Sequence, residues 1–254
     1  MRIFYRSALL AAAAGLAPIL PASAAIFTIN WAGTLDSGTY TVDSNPTVDI
    51  TGLAFTVVYT IDDSLGTDAS TPPDVANVFG GPGFGVATSP VSAVVTIQGI
   101  GSFALSGNDL SSASRVNYDP VSTFPDAASY QSEDQISEVV GNIDHHRTSS
   151  VFAFLSETDP AIYGTLFDSI AYDALPIRAR AASDQSVFAF QWNDILTDLT
   201  TFETDQIFIE ARSSNGWIVP GAAVPEPSSW ALMIGGFALI GAAMRRRSMA
   251  VSFA

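Results

Sequence analysis

No cysteine and no lysine occur among the 254 residues, and the only histidines are His145 and His146. Without thiols there are no disulfide staples, thiolate metal sites or cysteine nucleophiles, so stability must come from an ordinary packed core. Positive charge is scarce as well. Ten arginines carry all of it, and five lie at the ends as Arg2, Arg6, Arg245, Arg246 and Arg247. Between Ala25 and Val224 there are 24 acidic residues against five arginines, a net −19 inside a chain of formal charge −15. A surface of that sign repels phosphate backbones and anionic lipid, which argues against nucleic-acid binding and favours water, cations and neutral polymers. Also lacking are an amphipathic helical stretch of three turns and a Gly-x-Ser-x-Gly elbow. The glycine-rich run from Phe79 to Phe84 has no Lys-Ser/Thr and no following helix, so it is not a phosphate-binding loop.

What is present, in a length that suits one sizeable domain plus targeting segments, is a series of short alternating runs rich in Val, Ile, Thr and Phe. They cover Ile26 to Trp31, Val48 to Ile61, Val91 to Gln98, Gln135 to Val140, Val151 to Leu155, Val187 to Trp192 and Gln206 to Ala211, with Gly, Pro, Asn, Asp and Ser between them. This spacing predicts an all-β ectodomain over 25–218, an antiparallel β-sandwich or jelly-roll-like fold. Apolar residues at 55, 57, 59 and 61 mark a core face. Pro125 to Tyr130 and Ile195 to Phe202 are expected to hold a helical turn or two. Ser150 to Phe154 and Ser186 to Phe190 look alike; apolar on both faces, they fit inner strands better than a repeat.

The two ends read as targeting segments. Arg2 and Arg6 precede an apolar stretch from Ala8 to Leu20, then Pro21-Ala22-Ser23-Ala24, the three regions of a secretory signal peptide over 1–24 with Ala22 and Ala24 at the positions a signal peptidase reads. At the other end a Pro/Gly linker over 219–227 contains Pro225-Glu226-Pro227. Each proline fixes its own φ and extends its predecessor, so the tripeptide should present exposed backbone to a protease. Ser228 or Ser229 can cap a helix, and Trp230 falls where an interfacial aromatic belongs. From Ser228 to Met244 such a helix measures about 25 Å, barely enough for a hydrocarbon core of roughly 30 Å. Arg245, Arg246 and Arg247 stop it, giving one transmembrane helix with its arginine cluster over 228–247, a cytoplasmic tail over 248–254, and the acidic domain outside.

Pro225-Glu226-Pro227, Trp230-Ala231, Gly235-Gly236-Phe237, Gly241 and the arginine cluster together resemble a PEP-CTERM sorting domain in its PEPxxWA form, a segment also called the ice-binding protein C-terminal domain. The resemblance covers about a tenth of the chain and implies an exported substrate of an exosortase, a membrane-embedded cysteine-dependent protease or transpeptidase of Gram-negative bacteria that make exopolysaccharide. It implies that the protein is first held in the inner membrane with its ectodomain outside, and after processing is at the cell surface or extracellular. Signal peptidase and exosortase are the implied processing partners. Phe-Thr-Val-Val-Tyr-Thr-Ile-Asp leading into an Asp-rich turn is similar to ectodomains found ahead of this tail, whose activity is generally unassigned. Ice binding does not follow, because the flat Thr-x-Thr ladder it needs is missing.

Candidate chemistry is sparse. Asp62, Asp63, Asp68 and Asp74 follow the strongest strand, and carboxylates so spaced in a turn could hold Ca²⁺ by oxygen ligation, although the spacing is not that of an EF-hand. A solvated acidic turn is the plainer reading, and no other cofactor is implied. Asp144-His145-His146-Arg147 reads as a polar turn; on a strand, adjacent histidines would point to opposite faces and could not readily share a metal. Trp31, Trp192 and Trp217 lie on or beside expected strands, where core packing is favoured over sugar stacking. Hydrolysis of glycans needs two carboxylates about 5–10 Å apart, and so acidic a chain offers many pairs with no way to choose. The expectation is a non-enzymatic surface or matrix protein. A carbohydrate- or Ca²⁺-binding module acting on exopolysaccharide is the alternative, and a glycan hydrolase comes last.

Overall fold

A computed structural model describes residues 26–118 and 123–220, all within the unit that ends at Pro220. The segments read as a signal peptide with Ala22 and Ala24, as a membrane helix and as a cytoplasmic tail, together with the Pro-Glu-Pro tripeptide, Trp230, Arg245, Arg246 and Arg247, lie outside the described residues.

The described chain is all-β, with only two single-turn 3₁₀ segments. The strands begin with β1 (Ile26–Thr34), β2 (Ser37–Val42), β3 (Val48–Asp49), β4 (Ala54–Asp62) and β5 (Thr67–Asp68). Next come β6 (Val75–Gly80), β7 (Val91–Ile97), β8 (Gly101–Leu105), β9 (Leu110–Val116) and β10 (Ala127–Val140). The last are β11 (Ile143–Ser156), β12 (Gln185–Asp198), β13 (Thr204–Ser213) and β14 (Trp217–Val219). They form two antiparallel sheets, a five-stranded one ordered β14-β1-β4-β7-β8 and a nine-stranded one ordered β3-β2-β13-β12-β11-β10-β9-β6-β5.

Alternation builds the core as expected. Phe55, Val57, Tyr59 and Ile61 of β4 all point inward, beside Val91, Ala93, Val95 and Ile97 of β7. Facing them are Tyr130 of β10, Val151, Ala153 and Leu155 of β11, and Phe188, Phe190 and Trp192 of β12. The ring contacts fix how the sheets cross. Phe55 stacks on Phe188 with centroids 4.0 Å apart, and Tyr59, further along the same strand, meets Tyr130 at 5.3 Å. Strand β4 therefore passes from above β12 to above β10. Along β12, Phe188 lies under β4 while Trp192 lies under Phe103 of β8, at 5.2 Å. Both traverses are across strands, so the packing is of the orthogonal kind. Trp31 and Trp192 are core residues, Trp31 with no exposed surface and Trp192 at 6 %, whereas Trp217 is half-buried. Gly216, just before β14, lies so close to the Trp31 indole that a Cβ would overlap its Nε1.

Several sequence expectations need correcting. Val48 to Ile61 is two strands, because Thr51-Gly52 forms a turn with Gly52 at φ 82°. The helical turn expected in 125–130 is absent, since Ala127 opens β10; of 195–202, Ile195 to Asp198 belongs to β12 and a single turn follows, the Phe202 N–H donating to the Asp198 carbonyl. Local composition was overridden there by cross-strand pairing. The stretch 144–147 is not a turn but lies at the beginning of β11, the reversal being made by Gly141 and Asn142. The two similar segments are neighbours in the middle of the large sheet, with Phe152 opposite Ala189 and Phe154 opposite Val187. Only one of their faces is buried; Phe152 and Phe154 are half-buried on the outer side.

Candidate functional sites

The aspartates after β4 are divided between tasks. Asp62 takes the Ser64 N–H at 3.0 Å and its hydroxyl at 2.5 Å, closing the turn on itself. Asp68 takes the Ser70 N–H at 2.8 Å, and the Ser70 side chain and N–H hold its carboxyl below the ordinary range against a small opposing effect of burial. Asp74 contributes its backbone carbonyl, which accepts from the Asn117 N–H. Short acidic side chains in a turn commonly serve the loop's own amides in this way. Asp63 and Asp68 line a cleft of about 380 Å³ floored by Phe27, Ala76, Val78 and Tyr172. Burial pushes the Tyr172 phenol up to about 12, opposed by the Ser70 hydroxyl and assisted by Asp68 and Asp63. Asp62 and Asp74 are not part of that cleft. Among the described residues no group of three or more His, Cys, Asp or Glu side chains is placed to hold a metal ion.

The histidines do not act as a pair. His145, on the inner face of β11, meets Asp194 at 2.8 Å and Glu138 at 3.6 Å, while His146, on the outer face, meets Asp144 at 3.0 Å. Opposite orientation is what the strand period requires.

Glu157, Asp126, Asp134, Asp184 and Arg115 are buried charged groups that were not singled out in the sequence. Glu157, 1 % exposed, accepts from the N–H groups of Asp126, Gly164 and Thr165, the Thr165 hydroxyl, and Arg178 at 3.1 Å. Asp126, fully buried, accepts from the N–H groups of Tyr118, Leu166 and Phe167. Burial raises its carboxyl above the ordinary value in spite of those donors. Asp134 takes two N–H groups and a hydroxyl from Ser106 and Asn108, together with Arg147 at 3.1 Å. Arg147 in turn lies 4.8 Å above the Trp192 ring. Arg115 points inward from β9, stacks 3.8 Å over Phe167, and donates to Tyr130 Oη and to the carbonyls of Tyr172 and Ala174. Burial lowers the affinity of its guanidinium for the proton. The strand period offered a signal for two of them: Ala113 and Arg115 share a phase, as do Ala128, Tyr130, Ser132 and Asp134.

The outer face of the large sheet carries a second concavity. Gln131, Phe152, Ala189 and Arg212 stand opposite one another across β10, β11, β12 and β13, and the next row is Glu133, Ser150, Gln191 and Glu210. Ala189 is the smallest side chain in its row, and a depression of about 120 Å³ opens over it. Phe152 and Phe154 stand with ring planes within 8° and centroids 6.4 Å apart. Gln131 Nε2 donates to Glu133 at 2.8 Å, and Arg212 Nε and Nη2 donate to Glu210 at 3.3 and 3.2 Å.

Among the described residues no helix is long and apolar enough to cross a membrane. Residues 223–247 match the PEP-CTERM protein-sorting motif, the segment in which the sequence places Pro225, Glu226, Pro227, Trp230 and the three arginines. No curated protein and no solved structure matches the chain.

Proposed function

We propose that the protein is an exported cell-surface or matrix protein whose C-terminal segment is a substrate for an exosortase and whose β-sandwich does no catalysis of its own. The sorting-motif match at 223–247 carries this reading. Within it, the sequence sets Pro225-Glu226-Pro227, Trp230 and then Arg245, Arg246 and Arg247 in the order of a recognition tripeptide, an interfacial aromatic and a stop signal. Signal peptidase removes 1–24 after Ala24, the ectodomain over 25–218 folds outside, and processing passes it from the inner membrane to the surface.

The arrangement of carboxylates supports the non-catalytic reading. Glu157, Asp126 and Asp134 spend their oxygens on backbone N–H groups and arginines. Glu133 and Glu210 flank the outer depression but stand three strands apart, about 14 Å at the backbone. Each is also tied to a neighbour on its own strand. Intact-mass measurement of protein taken from the native cell surface tests the proposal. The expected mass lacks 1–24 and the residues beyond the Pro-Glu-Pro tripeptide, whereas a C-terminus running through Ala254 would establish a permanent anchor.

A further inference from the structure

We propose that the outer face of the nine-stranded sheet binds an uncharged polysaccharide, one sugar ring seating over Ala189 between Phe152 and Arg212. This goes beyond the sorting function and stands whether or not the tail is cut. The face exists because Val151, Phe190 and Ala211 turn inward, leaving the alternate residues of three adjacent strands to solvent. Their order matters more than their number. An aromatic wall, a methyl floor and a guanidinium wall meet in one row, with Glu133, Ser150, Gln191 and Glu210 along the next.

A pyranose has just two kinds of surface. Its C–H faces carry slight positive charge and pack on the electron-rich face of an aromatic ring, while its rim of hydroxyls both donates and accepts. Phe152 offers the first partner, with Phe154 continuing the aromatic surface along β11. The second kind of partner comes from the carboxylates, the Gln191 amide and the Ser150 hydroxyl. Gln131 and Arg212 fix the two carboxylates in place by one oxygen each, and every carboxylate has further lone pairs to accept sugar hydroxyls. Such a site is largely formed before the ligand arrives, which spares ordering cost.

Charge selects among polymers. The chain carries −15 overall, so a polyanionic glycan, a nucleic acid or a second copy of this chain is repelled as it approaches, and a neutral polymer is not. The depression opens onto the solvent face of the sheet, so a long chain seated there by one unit can continue over the strands beside it.

The test is native gel electrophoresis of the full-length protein in non-ionic detergent, through gels containing hydroxyethyl cellulose, soluble β-1,3-glucan, galactomannan, dextran or alginate. At least one neutral polymer should retard the wild type, and alginate should not. Phe152→Ala, and independently Ala189→Leu, which fills the depression, should weaken retardation at least about tenfold. Thr148→Ala, on the same face two rows away, should leave it unchanged, with unchanged melting temperatures showing that the variants fold. Retardation by none of the neutral polymers overturns the proposal, as does retardation that both variants retain. Self-association lost in both variants without glycan binding would assign the face to a second copy instead. Release of reducing ends by the wild type would overturn the non-catalytic reading above and leave the binding site standing.

Discussion

Strand β4 and the segment 157–184 both lie against the core, and they satisfy their backbones by different means. β4 has ladders on either side, to β1 and β7, so its peptide groups need nothing from side chains, and Phe55, Val57, Tyr59 and Ile61 can all be apolar. The 157–184 segment connects β11 to β12 with one 3₁₀ turn as its regular structure, yet it buries Leu166, Phe167 and Tyr172. Its amides take their acceptors from carboxylates: Glu157 serves Gly164 and Thr165, Asp126 serves Leu166 and Phe167, and Asp184 serves Ala181. Irregular backbone near a core needs buried acceptors, and buried acceptors that carry charge need a cation, which Arg178 supplies to Glu157 and Asp184. Acidity in this protein is therefore partly structural.

The comparison breaks most sharply at Glu157. Glu157→Ala leaves three N–H groups without an acceptor, removes one of the two carboxylates that Arg178 meets, and should cost about 3–5 kcal/mol in urea unfolding, with amide exchange at 164–167 accelerating selectively. Ile61→Ala should cost about 2–5 kcal/mol by opening a cavity and should speed exchange throughout the sandwich instead. Equal, uniform exchange in the two variants would mean that the carboxylate does not staple the segment.

Next in size is a dependence on pH in which two carboxylates of the same network oppose each other. Burial pushes the Asp184 carboxyl up, but the Arg178 fork and the Ala181 N–H outweigh it and hold the group below its ordinary value of 3.8. Its contribution is thus present above about 3.8 and lost as pH falls through its lower folded value. Asp126 is raised, so its contribution is full below 3.8 and lost as pH rises through its folded value. Asp184→Asn should therefore be less stable than wild type at neutral pH, with the gap closing in acid. Urea midpoints measured from about pH 7 to about pH 2 check this, and a constant gap would remove the ionic account of the pair.

The smallest effect is expected where neither device operates. Phe202, between β12 and β13, has φ 60° and is 78 % exposed, so its backbone carries left-handed strain with little packing in return. Phe202→Asn should raise the melting temperature by about 2–4 °C. A fall would show that the exposed ring contributes contacts the backbone strain does not cancel.

Period-two alternation made the inner face of β4 legible, along with the core placement of Trp31 and Trp192, because that signal lies within a few adjacent residues. The Asp126 and Glu157 network was not legible, since each carboxylate meets amides that a contiguous pattern does not connect to it: Asp126 lies 40 residues from Leu166. The acidic loop shows the same limit. Its four aspartates are consecutive signals in sequence, but Asp62 turns back onto Ser64 while only Asp63 and Asp68 reach the cleft. The outer depression depends on three residues from three strands, Phe152, Ala189 and Arg212, and forms only once register sets them side by side.

By itself the sequence determined the all-β class, the acidity, and the sorting motif at 223–247, because composition, strand period and a short linear motif are local properties of the chain. Tertiary structure decided which acids are buried, which face of β11 and β12 meets solvent, and where a concavity opens. Those outcomes depend on strand register and sheet crossing, and a one-residue slip in register would exchange inner and outer faces entirely.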